Sequence, residues 1–402
     1  MRAASAAVVV NVADSMPPAA SSLRLGYCTN VHPAETPADL VRMIRRHVAP
    51  VHRRAGTSDV GLRIGAAAAF AFDRDPAALD TFAGVLAAHR LSVFTLNGFP
   101  FGDFHAESVK EAVYAPDWST PERGEYTMAL ARIAARIAAP EDPFASISTV
   151  PLGLGPGPRT SASHLDRLVD VAVRLESLTS SSGVRVVLAL EPEPLCALET
   201  ADDAVRTFEA LDARARVLLG ASGPSRVRER VGVCFDVCHQ AVMGEDPAAA
   251  IATLRQAGVP IYKAQLSNAL RASAATPEAA AALFAFAEPR FLHQTMRLRD
   301  GAPPRLYPDL ADAALAYAAG EIRSNDELRC HFHVPIHAEA FPPLDTTRHD
   351  LVVAAAALRE DETLRHYEVE TYTFDVLPEA ARPRSLADHL VAELAFARTL
   401  LY

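Results

Sequence analysis

Short apolar runs alternate along the chain with longer segments of helical periodicity. Alanine- and leucine-rich stretches such as DPAALDTFAGVLAAHR separate the runs, which are rich in β-branched residues. This alternation predicts parallel strands joined by right-handed helical crossovers. Eight strands favour an α/β fold closed as a (β/α)₈ TIM barrel. No GxGxxG follows the first strand, which disfavours a Rossmann fold. The predicted strands are 23–30, 60–69, 91–99, 144–153, 184–192, 231–238, 260–267 and 366–374.

One long insertion precedes the last predicted strand. Residues 270–326 contain AAALFAFAEPRFLHQTMRLRDG and YPDLADAALAYA, which read as helices. We expect this helical insertion to cover the barrel mouth as a lid, or to form the contact of a homodimer. Residues 23–402 are therefore predicted to be a single TIM-barrel domain. Residues 1–22 are predicted to be a flexible tail, with a weak signal-peptide pattern as the less favoured alternative.

Composition narrows the class of protein and its partners. Half of the 402 residues are hydrophobic, which suffices for a sizeable core, and the net charge of −10 argues against a nucleic-acid-binding surface. No apolar run reaches the roughly 18 residues of a membrane span. Five cysteines, an odd number, indicate reduced thiols and a cytoplasmic protein. Cys234 and Cys238 read as packing residues, with a metal or redox role as the alternative.

Polar side chains stand where the predicted strands end. In a parallel barrel those ends meet at one rim, whatever the distance along the chain. Ionisable groups after apolar strands are costly unless they are paired or bind a metal, so the rim is a candidate metal site. Each group also has another interpretation: Glu191 could accept from a loop amide, and His239 could lie at the surface. The strand-end residues are Asn97, Glu191, Asp236, His239, Gln265 and Glu370.

The motif HFHVPIH holds the densest set of imidazoles. Alternation places His331, His333 and, if the strand continues past Pro335, His337 on one face. The alternative is an edge ribbon with solvated histidines. Imidazoles combined with carboxylates suit Zn²⁺, Mn²⁺, Co²⁺ or Fe²⁺, whereas a set with few histidines would suit Mg²⁺. Alternation also points Glu368 the same way as Glu370.

Several motifs carry a family resemblance. Glu at the end of strand five, D-x-x-H at strand six, x-H-x-H before strand eight and E-T within it resemble the xylose-isomerase-like TIM-barrel superfamily. More closely, TNVHPAE, FTLNGFPFGDFH, VKEAVYAPDW, ISTVPLG, LALEPEP and FDVCHQAV together resemble EboE-type metabolite-traffic proteins, a bacterial branch of it. The resemblance runs from about residue 23 to the C-terminus. By position it implies a divalent-metal site made by Glu191, Asp236, His333 and Glu370, with His239, Gln265 and His331 as further candidate ligands.

The chain also departs from the superfamily pattern. Gln265 stands where a strand-seven histidine is usual, and the strand-two and strand-three histidines of the nuclease pattern are missing. An amide oxygen binds zinc poorly, which puts a three-metal nuclease centre in doubt.

The resemblance implies a sugar or cyclitol isomerase or epimerase involved in metabolite biosynthesis or traffic. Glu191 and Glu370 would then be the proton-transfer groups, acting on a small polyhydroxylated metabolite. Lys263 could equally point to the helix layer. The alternatives are a metal-dependent phosphoesterase of the endonuclease-IV type, and a non-catalytic metabolite carrier or assembly partner. Predicted substrate-binding residues are His32, Asn97, His105 and Lys263.

Overall fold

The architecture comes from a computed structural model that describes residues 23–139, 141–155, 161–378, 382 and 385–402. The predicted tail at 1–22 lies outside these residues. The strands are β1 (Arg24–Tyr27), β2 (Asp59–Arg63), β3 (Ser92–Asn97), β4 (Ala145–Thr149), β5 (Val186–Leu190), β6 (Val231–Asp236), β7 (Ile261–Leu266), β8 (Ala269–Ala272), β9 (Thr295–Arg299), β10 (Ala302–Tyr307), β11 (Glu327–His333), β12 (Ala340–Phe341), β13 (Leu344–Thr346) and β14 (His366–Val369).

Helices follow the strands through most of the chain. They are α1 (Pro37–Met43), α2 (Ala49–Ala55), α3 (Ala66–Arg74), α4 (Pro76–Ala88), α5 (Pro121–Ile137), α6 (Ala162–Ser182), α7 (Ala201–Leu219), α8 (Gly223–Arg228), α9 (Val237–Met243), α10 (Pro247–Gln256), α11 (Pro277–Phe284), α12 (Leu310–Ala318), α13 (Arg348–Leu358) and α14 (Leu386–Leu401). Across the described part of the chain, none of them has the length and apolar content of a bilayer-crossing segment.

An eight-stranded parallel sheet forms the barrel. Its strand order is β1-β14-β7-β6-β5-β4-β3-β2, and a parallel bridge between Cys28 and Gly61 joins the two ends. β4 and β5 are buried along their whole length because helices cover the outer face and side chains fill the interior. The predicted (β/α)₈ TIM barrel is thereby confirmed, and each barrel strand overlaps one of the predicted runs.

Local sequence signals start and end the crossover helices. Thr200 and Asp203 form a capping box at the start of α7, and Gly183, with φ of 78°, ends α6 in the left-handed conformation. The apolar faces of these helices pack with the outer sheet face into one core, to which Phe208 and Leu175 contribute. The strand ends are therefore held on a rigid scaffold.

The insertion is a mixed α/β structure rather than a purely helical one. Its helix α11 overlaps the first predicted helical segment and α12 lies within the second, but Thr295–Arg299, expected to continue a helix, forms β9. β9 pairs antiparallel with β11, with Arg297 opposite Leu328 and Thr295 opposite Cys330. This non-local pairing overrides the local helical pattern. The result is a second, antiparallel sheet in the order β10-β9-β11-β8-β13-β12.

Candidate metal centre

Three carboxylates from separate barrel strands meet at the rim. Glu191 follows β5, Asp236 ends β6 and Glu370 follows β14, and one oxygen from each lies within 4.8 Å of the others. All three are buried, with exposures of 3%, 0% and 4%. The structure therefore brings together the three carboxylates proposed from the sequence, although they are 45 to 179 positions apart along the chain.

Hydrogen bonds fix two of these carboxylates and leave oxygens free. Asp236 Oδ1 accepts from the His239 backbone N–H at 3.1 Å and from Ser267 Oγ at 2.7 Å. Glu370 Oε1 accepts from Asn30 Nδ2 at 2.7 Å and Asn97 Nδ2 at 3.2 Å. Within the described residues, Asp236 Oδ2 and Glu191 Oε2 are buried with no hydrogen-bond partner. Such oxygens are costly unless a cation faces them.

Mutual repulsion changes the acidity of the group. Burial, followed by the charges of Glu370 and Asp236, raises the pKa of Glu191 well above its ordinary value. Burial and the charges of Asp236 and Glu368 raise the pKa of Glu370 in the same way. Burial also acts to raise the pKa of Asp236, but the imidazoles of His239 and His333 outweigh it and lower that pKa. The cluster carries more negative charge than its surroundings neutralise.

The D-x-x-H spacing has a local structural cause. Asp236 is the N-cap of α9, and its side chain accepts from the backbone N–H of His239, three residues further on. The same carboxylate therefore starts the helix and fixes the first turn that carries the imidazole. Ser267, just after β7, holds the carboxylate from the other side.

Three imidazoles present their Nε2 atoms to one another beside the carboxylates. In each ring the Nδ1 faces an oxygen acceptor: Pro192 O at 3.0 Å for His239, Gln294 Oε1 at 2.6 Å for His331, and Glu370 O at 2.8 Å for His333. These oxygens require Nδ1 to carry the proton, so each Nε2 is left with its lone pair. Backbone and side-chain acceptors thus hold all three rings in the tautomer that a metal ligand needs.

The three Nε2 lone pairs face one another at short distances, which is unfavourable unless a cation lies between them. His331 Nε2 lies 3.1 Å from His239 Nε2 and 3.2 Å from His333 Nε2, with no proton between them in the tautomers just assigned. Burial lowers the pKa of all three rings, to about 4 for His239, so protonation does not relieve the contact at neutral pH. The donor set therefore fits a divalent transition metal.

Asp236 belongs to two overlapping ligand groups. One is Glu191, Asp236 and Glu370, and the other is Asp236, His239 and His333; in each group the ligand atoms lie within 4.8 Å of one another. The His239 Nε2 atom is 4.0 Å from Asp236 Oδ2. A shared carboxylate between a carboxylate-rich and an imidazole-rich set is an arrangement that can hold two neighbouring cations.

Glu193 is a further site residue that the sequence reasoning did not single out. Its Oε1 accepts from the Tyr114 hydroxyl at 2.6 Å, and Glu193, His239 and His331 form another group of possible ligands. Burial raises the pKa of Glu193 to about 8. The available signal was its position in LALEPEP, two residues beyond Glu191, where the chain is still at the rim.

Two other predicted polar residues lie inside the barrel and do not reach the cavity. Lys263 points inward, not to the helix layer, and its fully buried Nζ is 2.5 Å from Glu368 Oε2 and 3.1 Å from Ser148 Oγ. Gln265 is engaged at Oε1 by the Cys234 thiol at 3.2 Å. Neither lines the cavity at the rim.

The predicted substrate-binding histidines also lie outside that cavity. His32 stacks on His47 with ring centroids 5.0 Å apart and contacts the Tyr27 hydroxyl at 3.1 Å. His105 places Nε2 2.7 Å from Asn30 O, so it supports the loop that carries Asn30. Asn97 does line the cavity, as a strand-end residue would. The two histidines come from loops, whose course the strand pattern does not specify.

The HFHVPIH motif divides at the end of β11. His331 and His333 lie in the strand and reach the centre, whereas His337 follows Pro335, outside the strand, and its ring centroid lies 6.4 Å from that of His389. The sequence expectation that all three could share a face required the strand to continue, and it ends at His333.

A cavity of about 510 Å³, including its open mouth, lies above the carboxylates and imidazoles. The insertion contributes Phe291 and Leu292 to it, β11 contributes His331 and His333, and the loop after β3 contributes Phe104 and Tyr114 among others. These two segments are tied together, because the backbone N–H groups of Val109 and Lys110 donate to Arg290 O at 2.8 and 2.9 Å. The insertion therefore covers the barrel mouth.

Comparisons with known proteins bear on the fold. No protein-family profile and no curated sequence matches the chain. A zinc-bound IolI protein superposes with a TM-score of 0.48 at 14% identity, over 94% of this chain and 98% of that one. A xylose isomerase domain protein from Alicyclobacillus acidocaldarius subsp. acidocaldarius gives 0.46 at 15% identity, over 94% and 98%. An AP endonuclease, family 2, from Brucella melitensis gives 0.38 at 16% identity, over 60% and 78%.

These neighbours are similar to the chain in overall path at low identity. None of the three is an EboE-type protein, so that finer resemblance stays a prediction. The assignment of the barrel rests on the strand order, and the metal centre rests on the distances given above. The (β/α)₈ barrel is therefore established by the chain's own strand order, and a narrower family stays a prediction.

Proposed function

We propose that this chain is a divalent-metal-dependent isomerase or epimerase of a small metabolite. The observation that carries the proposal is the convergence of three Nε2 lone pairs, from His239, His331 and His333, beside buried carboxylate oxygens under a covered cavity. A site of this kind needs a cation for its own electrostatic balance, and it opens towards a space that can hold a substrate.

Two glutamates are suited to opposite roles in proton transfer. Glu370 is held by Asn30 and Asn97, whereas Glu191 Oε2 has no partner among the described residues. Glu191 Oε2 can therefore accept a proton from a substrate carbon, while the fixed Glu370 orients or returns one. A divalent cation, when bound, supplies Lewis-acid polarisation of the substrate carbonyl.

The charge of the cavity wall favours this reaction over phosphoester hydrolysis. Among the residues that line the cavity, Lys110 is the one lysine or arginine, and its Nζ is 2.5 Å from Asp309 Oδ2 and 3.1 Å from Phe291 O. A phosphodiester brings a full negative charge, and outside the candidate metal centre the cavity offers it no free cationic side chain. The net charge of −10 adds to this repulsion for a nucleic acid.

Metal content tests the first half of the proposal. After loading with Zn²⁺ or Mn²⁺ and gel filtration, wild-type protein should retain at least one ion per chain by mass spectrometry. His333→Gln should lose most of it, whereas His337→Gln, a histidine of the same motif outside the centre, should not. Wild-type protein that retains no ion would refute the proposal.

Solvent exchange tests the second half. An isomerase or epimerase removes a proton next to a carbonyl, so loaded protein in D₂O should exchange that hydrogen in a member of a ketose, aldose and inosose panel, as seen by proton NMR. Glu191→Gln should abolish the exchange. Loaded protein that hydrolyses bis(p-nitrophenyl) phosphate without any exchange would favour the phosphoesterase instead, and inactivity in both assays would favour a carrier.

A further inference from the structure

The cavity above the metal centre separates polar from apolar surface. Its polar groups are the rim carboxylates, imidazoles and asparagines at the bottom. Its side walls are made largely of apolar and aromatic residues that come from the loop after β3, from the insertion and from the segment after β14. These wall residues include Phe99, Phe104, Val109, Phe291, Leu292 and Tyr372.

The aromatic rings form a continuous surface that begins at a metal-ligand candidate. Tyr372 lies 4.7 Å from His333 between ring centroids, and 5.2 and 5.0 Å from Phe104 and Phe291. Phe104 and Phe291 are themselves 5.0 Å apart. The two contacts of Tyr372 with Phe104 and Phe291 are edge-to-face and the other two are tilted, as in packed aromatic clusters, and such a cluster offers apolar ring surface to a ligand. The wall next to the imidazoles is therefore shaped for a flat apolar group.

Two polar groups of the wall, the Tyr114 hydroxyl and the Lys110 ammonium, already have hydrogen-bond partners. The Tyr114 hydroxyl donates to Glu193 Oε1 at 2.6 Å and accepts from Gln294 Nε2 at 2.8 Å. Lys110 Nζ is held by Asp309 and the Phe291 carbonyl. A chain of hydroxyl groups lying along the ring faces of Phe104 and Phe291 would give up its hydrogen bonds to water without replacing them, which disfavours a polyol on that part of the wall.

We propose that the site takes a metabolite with two adjacent oxygen atoms at one end and a flat, largely apolar body at the other, without a phosphate. This inference rests on the proposed function, because the oxygen pair is the end that meets the metal centre. It replaces the polyhydroxylated body expected from the sequence with a hydrophobic one, while it keeps the hydroxyl-carbonyl head on which the proposed reaction acts.

Three hydroxamates with the same chelating head and different bodies test the proposal. Isothermal titration of zinc-loaded wild-type protein should show 2-naphthohydroxamate binding at least about tenfold more tightly than acetohydroxamate, because its body buries apolar surface. Threonohydroxamate, with a polyol body, should bind no more tightly than acetohydroxamate. Tighter binding of threonohydroxamate than of 2-naphthohydroxamate would overturn the proposal.

A matched pair of variants locates the binding surface. Phe104→Ser should reduce the affinity for 2-naphthohydroxamate and leave that for acetohydroxamate and the zinc content unchanged. Phe284→Ser removes an aromatic ring of the insertion that packs on Tyr317 away from the cavity. It should change neither the two affinities nor the zinc content. Equal losses in both variants would contradict the assignment.

The same data distinguish failure of the proposed function from failure of the proposed ligand class. Protein that retains no zinc refutes the proposed function. Protein that retains zinc and prefers the polyol refutes only the class of ligand. If Phe104→Ser does not fold, the ranking of the three probes on wild-type protein still decides.

Discussion

Replacing Glu191 with glutamine should stabilise the metal-free protein while it abolishes stabilisation by zinc. In the metal-free protein Glu191 lies among three carboxylates whose nearest oxygens are within 4.8 Å of one another. At an effective dielectric constant of about 20, two ionised carboxylates at that separation repel by about 3.5 kcal/mol. Glu191→Gln keeps the shape of the side chain and removes that repulsion.

The pH dependence has a definite sign. The pKa of Glu191 is raised in the folded protein, so the folded state holds a proton that the unfolded chain has already released. Its contribution to stability is complete below the pKa of the unfolded chain and is lost as the pH rises towards the raised pKa. The free energy of unfolding of wild type should therefore fall by about 1.4 kcal/mol per pH unit relative to that of Glu191→Gln across that window. The total fall cannot exceed the repulsion energy that the substitution removes.

Urea unfolding followed by far-UV circular dichroism measures both effects. In EDTA, Glu191→Gln should be more stable than wild type, by a margin that grows as the pH rises above the ordinary pKa of a glutamate, about 4.3. With zinc at about a hundred times its dissociation constant, wild type should gain about 2.7 kcal/mol and the variant much less, so the variant's advantage should shrink by most of that amount. Glu362→Gln, at an exposed position, is the matched control and should follow wild type in both conditions.

One pattern would refute the reasoning. If Glu191→Gln is less stable than wild type in EDTA at every pH, and zinc stabilises both proteins equally, the three carboxylates do not repel across a cation site. The buried cluster would then be held by hydrogen bonds alone.

Two further changes test the support around the centre. Gln294→Leu removes the acceptor of the His331 Nδ1 proton and should weaken zinc binding about 10- to 100-fold. A competition titration against a chelating dye measures the affinity, and the Leu298→Ala control should show no loss. Unchanged affinity in Gln294→Leu would show that Gln294 does not orient the ring. Lys263→Met leaves Glu368 buried without its counter-charge and should lower the free energy of unfolding in urea by about 3 to 5 kcal/mol. The double variant Lys263→Met, Glu368→Gln should recover most of that loss. Equal losses in the single and the double variant would contradict a buried ion pair.

The sequence by itself determined the barrel and the carboxylates of the centre. Alternating strands and helices have one common closed solution, and in that solution all strand ends share a rim, so Glu191, Asp236 and Glu370 had to approach one another. The sequence also determined that His239 lies beside Asp236, because the D-x-x-H motif is a helix N-cap that fixes His239 in the first turn of α9.

Only the tertiary structure decided what surrounds these carboxylates. The insertion pairs its strands with partners distant in sequence, so neither the β9 strand nor the arrival of His331 and His333 beside His239 follows from any local period. Lys263 turns inward because Glu368 offers a buried counter-charge across the barrel. The aromatic wall comes from three segments whose only link is packing, and Glu193 joins the site through Tyr114 on another loop. Contacts of this kind depend on where separate parts of the chain meet, which periodicity along one part does not encode.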